Sequence, residues 1–243
     1  MSEIIKTEAV VLSKINYSES SLIVSLFTKT NGLISAIIKG GRRPKSKLAS
    51  IADVLNHIEI ILYKKESREI QIISSADLIS YFPKTKAKIE LSSYALAICE
   101  SIKTLLVENE SNELLFNGLI RILNLIESES EHPAVLFGRF LMFLIKQIGY
   151  EINLESCEKC SEKLSLDMKA YYSSFLRGFV CDKCNDEKVF NNSELFNYLF
   201  CLKNRKKIIS FSENIYQKGN QFLIEYLKSH IESFKGLNSL TML

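Results

Sequence analysis

The sequence contains no tryptophan and only three histidines, three prolines and nine glycines in 243 residues. So little proline and glycine excludes collagen-like chains and long low-complexity linkers. The histidines fall in unlike segments, with His57 in an apolar stretch, His132 in an acidic one and His230 near the end, so they predict no catalytic set. Neither GxxxxGK[ST] nor GxGxxG occurs, and no nucleotide-binding loop is therefore expected.

Long hydrophobic runs are also missing. The most apolar stretch, residues 137–150, is interrupted by Arg139 and Lys146 and falls short of the roughly 20 apolar residues that cross a bilayer. The first ten residues hold two acids and no apolar core, which excludes a secretory signal. With 47% hydrophobic and 24% charged residues, the composition is that of a globular protein of one large or two small domains. We expect a soluble, cytoplasmic protein that has no membrane partner.

The small net charge of +3 hides an asymmetry along the chain. Residues 1–88 hold fourteen Lys and Arg against eight Asp and Glu, whereas residues 89–156 hold four against ten. A basic segment followed by an acidic one favours a polyanionic partner for the first segment. Solvated surface charge without a partner is the alternative.

Five short apolar segments in the first 82 residues predict five β-strands. They are residues 4–12, 22–27, 33–39, 57–63 and 70–73. Asn31-Gly32 is a hairpin signal between the second and third segments, and residues 64–69 form a polar turn between the last two. Short strands joined by turns are typical of a small barrel or sandwich, although their number alone does not identify the fold.

The insert after the third predicted strand carries the most concentrated charge. Five cations and no acid occur in nine positions, at Lys39, Arg42, Arg43, Lys45 and Lys47. Phosphates would offset their mutual repulsion, and release of counterions adds affinity that does not depend on base sequence. We therefore predict that this loop binds a nucleic-acid backbone, with a solvated flexible loop and a nuclear localisation signal as alternatives.

Two aromatic residues of the predicted barrel are candidates for stacking on bases. They are Tyr17 and Phe27. A place in the barrel core or on an ordinary surface is the alternative for both, and especially for Phe27.

Beyond Pro83 the apolar residues recur every three or four positions, which is the helical period. The period runs to about residue 150 and returns at residues 193–204 and 212–235. These stripes predict the core of a helical domain. Cys99 and Cys201 lie on them without a second cysteine nearby, and we expect both to be buried apolar residues.

Four cysteines have metal-ligand spacing, CxxC-x20-CxxC. They are Cys157, Cys160, Cys181 and Cys184. Two turns that each present two thiolates, joined by a hairpin, suit the tetrahedral site that zinc prefers. Four protein ligands leave no open position, so the predicted zinc is structural, one per chain. Disulfides and a redox CxxC are alternatives, although cytosolic thiols stay reduced and a redox CxxC is usually single.

Several stretches resemble one family. They are residues 17–28 (YSESSLIVSLFT), residues 32–48 (GLISAIIKGGRRPKSKL), Ile148-Gly149-Tyr150 leading into the cysteines, and residues 237–240 (LNSL). Over almost its whole length the chain resembles the RecO family of bacterial recombination mediators. The resemblance implies an α+β multidomain fold, in which a five-stranded oligonucleotide-binding (OB) barrel at 1–82 precedes an all-helical domain at 83–243 with a zinc module inserted at about 153–190.

The resemblance also implies a function in the RecF pathway of gap and break repair. Such a protein binds single- and double-stranded DNA and anneals complementary strands. With RecR, it helps load RecA onto strands that are coated by single-strand-binding protein, and it associates with the nucleoid during repair. It is not an enzyme. The alternative is a non-enzymatic protein-interaction scaffold with incidental DNA contact, and a zinc-dependent or nucleotide-modifying enzyme is disfavoured by the four-cysteine set.

The chain departs from the family at three places near the cysteines. Ser161 replaces a glycine after the second cysteine, Arg177-Gly178 replaces a Gly-Gly pair before the third, and Ile152 replaces a proline. We expect these changes to alter local turn geometry and to leave the four cysteine ligands in place.

The family also recognises the acidic C-terminal tail of single-strand-binding protein, which ends in an aromatic residue and a carboxylate. A receiving site needs cations beside apolar helix surface. Arg121 and Arg139 are flanked by apolar residues in the acidic middle segment and are the predicted partners of that carboxylate. Arginines that extend from the edge of the core towards solvent are the alternative.

Overall fold

The computed structural model describes residues 3–166, 168–185, 193–204 and 211–242. The chain divides into two compact units, Met1–Pro133 with Leu237–Leu243, and Ala134–Gly236. The change from strands to helices at residues 82–83 lies inside the first unit. Among the helices in the described ranges, none is both long and apolar enough to cross a membrane.

Five strands of the first unit close into a barrel. They are β1 (Glu3–Tyr17), β2 (Ser21–Thr28), β3 (Gly32–Ile38), β4 (His57–Lys64) and β5 (Ile70–Ser80). The order around the barrel is β1-β2-β3-β5-β4, and β4 pairs back to β1. Neighbouring strands are antiparallel except β3 and β5, which run parallel. The predicted sheet of five strands followed by helices is confirmed.

The first strand closes the barrel because it is long enough to pair with two neighbours. Its first half pairs with β4 between Glu3 and Val10, and its second half pairs with β2 between Ala9 and Tyr17. A bulge between Val11 and Ser13 bends the strand where it passes from one neighbour to the other. Side chains alternate between the two faces of a strand. Lys14, near the far end of β1, therefore points to the face opposite to that of Ser13 and Ile15.

Two strands extend further than their apolar segments predicted. β1 continues from residue 12 to residue 17 and β5 from residue 73 to residue 80. Both extensions contain serine and charged residues, so they do not show the clear alternation of apolar and polar residues that predicts a strand. They are strands because their backbones pair with β2 and β4, which depends on the partner strand and not on local composition.

Inward-facing aliphatic side chains fill the barrel. Val24, Ala36, Ile58 and Ile60 have no exposed surface, and they belong to one cluster with residues from all five strands. Burying a valine or isoleucine side chain contributes roughly 1.5–3 kcal/mol relative to leaving it exposed. The barrel interior is therefore a packed core, and any ligand must bind at its outer surface or its ends.

The turn between β2 and β3 needs glycine. Gly32 has a φ of +66°, and a Cβ there would lie 1.9 Å from the backbone oxygen of Glu110. The segment that contains Asn109 and Glu110 packs closely against this turn, and Asn109 N donates to Leu33 O at 2.9 Å. The hairpin predicted from Asn31-Gly32 is confirmed.

The α-helices in the described part of the first unit are α1 (Lys47–Ile51), α2 (Pro83–Ala87), α3 (Ile89–Leu105) and α4 (Glu113–Glu127). The Glu127 carboxylate accepts hydrogen bonds from Lys84 N, Thr85 N and Thr85 Oγ1 at 2.8–3.0 Å and so caps the start of α2. Glu100 on α3 does the same for the C-terminal 3₁₀ helix, Asn238–Met242, because it accepts the backbone N–H groups of Asn238 and Ser239 at 2.9 Å.

The second unit contains three helices and a hairpin in its described ranges: α5 (Pro133–Gln147), β6 (Ala170–Ser173), β7 (Gly178–Cys181), α6 (Ser193–Lys203) and α7 (Glu213–His230). Its core is aromatic. The buried ring of Phe179 in β7 lies 5.3 Å from that of Phe196 and 5.9 Å from that of Phe222, and Tyr172 in β6 lies 4.8 Å from Phe222. The hairpin is thereby packed onto α6 and α7.

Candidate nucleic-acid interface and metal centre

A groove of about 640 Å³ lies beside the loop between β3 and α1. Its lining includes Arg42, Arg43 and Lys45 from the loop and Lys14 and Asn16 from the far end of β1. Four cations therefore face one concave surface, and low-dielectric walls strengthen the potential inside such a cleft. This arrangement suits a phosphate backbone better than an uncharged ligand.

The loop is held in place by contacts with the turn between β1 and β2. Arg42 N donates to Ser20 O at 2.9 Å, and the Arg42 guanidinium donates to Ser18 O. A Cβ at Gly41 would lie 2.9 Å from Leu22 Cδ1, so a larger residue there would force the Leu22 side chain to shift. After the loop, the hydroxyl of Ser46 accepts from Ala49 N and caps α1, a short helix that the sequence did not predict.

The five predicted cations do not all occupy the groove. Arg42, Arg43 and Lys45 line it, whereas Lys39 and Lys47 are exposed at the ends of the loop and do not appear in its lining. Tyr17 is half exposed at the end of β1, where a base could reach its ring. Phe27 has no exposed surface, and its ring packs 5.9 Å from that of Phe116. Its role is in the core, and stacking on bases is excluded for it.

Sequence patterns missed three residues beside the loop. Lys14 Nζ lies 2.6 Å and Lys86 Nζ 3.2 Å from the two carboxylate oxygens of Asp53. Burial opposes ionisation of Asp53, but the hydrogen bonds from the two lysines outweigh it and lower its pKa below the ordinary value. These residues come from β1, the end of α1 and α2, so no local pattern relates them.

The four predicted cysteines lie together in the second unit. Their sulfur atoms are all within 4.8 Å of one another, and Cys160 Sγ is 3.7 Å from Cys181 Sγ. Zinc–sulfur bonds of about 2.3 Å at tetrahedral angles separate the sulfurs by roughly 3.8 Å, so the cluster fits a tetrahedral ion. None of the four forms a disulfide.

The cluster favours ionised sulfur at one position. Burial opposes ionisation of the Cys157 thiol. Hydrogen bonds from the backbones of Cys160, Cys181 and Lys159 outweigh burial and lower the pKa of Cys157 to about 6. A thiolate is the form that binds metal. Within the cluster, the hydrogen bond with Cys160 and burial raise the pKa of Cys184 to about 12, so the thiolate is favoured at Cys157 and not at Cys184. Outside the cluster, complete burial raises the pKa of the Cys99 thiol to about 12, as expected for an inert core residue.

Two tight turns present the cysteines. In the first, Cys157 N donates to Glu162 O at 2.8 Å and Ser161 N to Cys157 O at 2.9 Å. In the second, β7 leads directly into a 3₁₀ helix, Asp182–Cys184. Ser161 has a φ of +60° and Arg177 a φ of +53°. Two of the three departures from the family therefore fall on backbone that glycine adopts without strain.

The two predicted tail-binding arginines belong to different compact units. Arg121 is exposed on α4, on the same face as the exposed Leu114, whereas Arg139 is half-buried on α5. Leu119, Ile122 and Leu123, which surround Arg121 in the sequence, are buried.

These features define a modular protein with a small barrel, a cationic groove and a cluster of four cysteines that could hold a metal ion. The family description "Recombination protein O N terminal" matches residues 1–82, and "Recombination protein O C terminal" matches residues 87–240. The chain belongs to the recombination protein O family. Membership supports a role in DNA repair and recombination.

Curated relatives agree with the family match. A protein of Chlorobium limicola is 38% identical over 164 residues, which are 67% of this chain and 62% of that protein. One of Acetivibrio thermocellus is 29% identical over 94% of this chain and 92% of its own length. One of Clostridium perfringens is 31% identical over 83% and 80%. Each is named DNA repair protein RecO.

Replacing Ser161 by glycine should stabilise the second unit. A left-handed conformation disfavours a residue with a Cβ by about 1–2 kcal/mol, and the greater entropy of glycine in the unfolded chain offsets part of that gain. We expect the free energy of unfolding, measured by urea denaturation, to rise by up to about 1 kcal/mol.

Ser174→Gly is the matched control. Ser174 is an exposed serine near the tip of the β6–β7 hairpin and lacks a positive φ. Glycine there should lower the free energy of unfolding by roughly 0.5–1 kcal/mol. Equal destabilisation by both substitutions would contradict the strain assigned to Ser161.

Proposed function

We propose that this protein is a non-catalytic, DNA-binding recombination mediator of the RecF pathway. Its barrel is an OB-fold that binds single- and double-stranded DNA through the cationic groove. Together with RecR, it anneals strands and helps load RecA onto strands that are coated by single-strand-binding protein. It acts in the cytoplasm, at the nucleoid during repair.

The groove is the observation that carries this proposal. It gathers Arg42, Arg43, Lys45 and Lys14 on one surface of the barrel, although these residues come from two separate parts of the chain. Cations arranged in this way neutralise phosphates without reading bases. A mediator needs this property because it acts on DNA of any sequence.

The strand order also supports an OB-fold. A five-stranded Greek-key barrel in which β1 pairs with both β2 and β4, and β3 runs parallel to β5, is compatible with that architecture. Proteins of this architecture bind single strands through cations along the backbone and aromatic rings against the bases. Tyr17 is an exposed ring at the end of β1 that could stack on a base.

We also propose that Cys157, Cys160, Cys181 and Cys184 hold one structural zinc ion. The 3.7 Å sulfur–sulfur distance and the lowered pKa of Cys157 support this assignment. Each of the two turns supplies two of the four sulfurs, so the ion would connect the turns and hold the β6–β7 hairpin between them.

The second candidate is a protein-interaction scaffold whose DNA contact is incidental. The two classes differ in their response to salt. Binding through released counterions weakens steeply as salt rises, whereas binding through apolar contacts does not. The decisive functional test is annealing of short complementary oligonucleotides by the purified protein, with and without single-strand-binding protein, across a salt series.

Changing Arg42 and Arg43 together to alanine should weaken DNA binding similarly for all base sequences, because both side chains would contact phosphates. The slope of the logarithm of affinity against that of salt concentration should shrink by about one unit per lost contact. Fluorescence anisotropy with labelled single strands of two unrelated sequences measures both quantities, and annealing should slow in parallel.

A double variant of Lys218 and Lys235, which are exposed in the second unit, provides the matched control. It removes the same charge without touching the loop. If the Arg42/Arg43 variant is folded by circular dichroism and keeps the affinity and salt slope of the control, the loop is not the DNA site.

The purified protein should contain about one zinc ion per chain, measured by elemental analysis after reducing, chelator-free purification. Cys157→Ser should lose the ion and unfold at lower temperature, because metal binding is coupled to folding. Cys99→Ser, which changes a buried cysteine outside the cluster, should retain it. Parent protein without zinc would contradict the assignment.

We propose that Arg121, Arg139 or both bind the carboxylate of the tail of single-strand-binding protein. Reversal to glutamate replaces attraction by repulsion, so affinity for a tail peptide, measured by calorimetry, should fall at least tenfold for the variant that removes the contact. If Arg121→Glu and Arg139→Glu are both folded and bind the peptide as the parent does, the tail docks elsewhere.

A further inference from the structure

Asp53 is an acidic residue in a groove whose other charged lining residues are cations. Its side chain is about half exposed, at 45%, and it belongs to the groove lining beside Ser50 and Lys14. Among the groove-lining residues in the described part of the chain, it is the one carboxylate. An uncompensated negative charge at this place would repel DNA, so its position requires an explanation.

Two lysines compensate it. Lys14 Nζ bonds Oδ1 of Asp53 at 2.6 Å, and Lys86 Nζ bonds Oδ2 at 3.2 Å. Lys86 also donates to Asn56 Oδ1 at 2.6 Å. The carboxylate therefore bridges two ammonium groups in the way that two oxygens of a DNA phosphate could.

Both lysines keep part of their side chain in contact with solvent. The side chains of Lys14 and Lys86 are 27% and 26% exposed. Ion pairs that keep contact with solvent are weaker than fully buried ones, and salt screens them further. An arriving phosphate can thus replace the carboxylate on either lysine without leaving a buried charge unpaired.

We propose that Asp53 is a built-in competitor for DNA phosphate. It occupies Lys14 and Lys86 while the groove is empty, and these two lysines become phosphate ligands when DNA binds. Asp53 then lowers affinity and keeps binding reversible, which suits a protein that must leave DNA after it has acted. The inference rests on the proposed DNA-binding function and adds to it one negative determinant, Asp53, and one further ligand, Lys86, which lies outside the groove lining and contacts it through Asp53.

Asp53→Asn tests the competitor directly. Asparagine is nearly isosteric but lacks the charge, so both lysines become available. We expect single-stranded DNA to bind roughly threefold to tenfold more tightly at low salt, with a salt slope steeper by about 0.7 per phosphate gained. Fluorescence anisotropy with a labelled thymidine oligonucleotide over a salt series measures both changes.

The control is Glu59→Gln, which makes the same change in net charge on the same barrel. Glu59 pairs with Lys6 at 2.8 Å on the outside of β4, is 37% exposed and does not line the groove. A general effect of net charge would tighten binding equally in both variants. The local effect predicts a gain in Asp53→Asn alone.

A triple variant identifies the source of the gain. Asp53→Asn combined with Lys14→Gln and Lys86→Gln should lose the increase in affinity and in salt slope, because no freed ammonium remains. If Asp53→Asn is folded and binds DNA like Glu59→Gln or more weakly, Asp53 is only a structural partner of the lysines and the inference is wrong.

The outcome for Arg42 and Arg43 separates this inference from the proposed function. If the double alanine variant loses affinity while Asp53→Asn gains none, the groove binds DNA and the competitor proposal alone fails. If neither variant changes binding, the groove is not the DNA site and both proposals fail.

Discussion

Closure of the barrel depends on β1, the strand that pairs with both β4 and β2. Its length and the bulge between Val11 and Ser13 allow a single strand to serve two neighbours. The same geometry carries Lys14 past the barrel core to the cationic loop. The groove is thus a consequence of closure, because a β1 that ended at residue 12 would leave the loop without its facing wall.

The two candidate sites are built by different physical means. The cysteine cluster is local, since two turns with CxxC spacing bring their own sulfurs together and the β6–β7 hairpin connects them. The groove is assembled from β1, β2, the loop and α1, which approach one another only in the folded barrel. A local site tolerates change in its surroundings, whereas a composite groove transmits any change in barrel packing to its charges.

Much of the fold could be predicted from the sequence where a pattern is local. Five apolar segments marked the five strands, and helical period marked α3, α4 and α5. The ends of β1 and β5 were underestimated, α1 was missed, and α7 ends at His230 and not at residue 235. For β1 and β5, pairing with a distant strand determined the backbone, and a window of neighbouring residues does not contain that information.

The sequence by itself determined the metal-ligand spacing of the cysteines and the charge of the loop, because cysteine spacing and cation density are properties of consecutive residues. Only the tertiary structure decided which charges share a surface. It placed Arg42, Arg43 and Lys45 in the groove and Lys39 and Lys47 outside its lining, and it buried Phe27. It also brought Asp53 between Lys14 and Lys86, which lie 39 and 33 positions from it in the chain. Strand register and helix packing set such contacts, and both arise only when the whole barrel has closed.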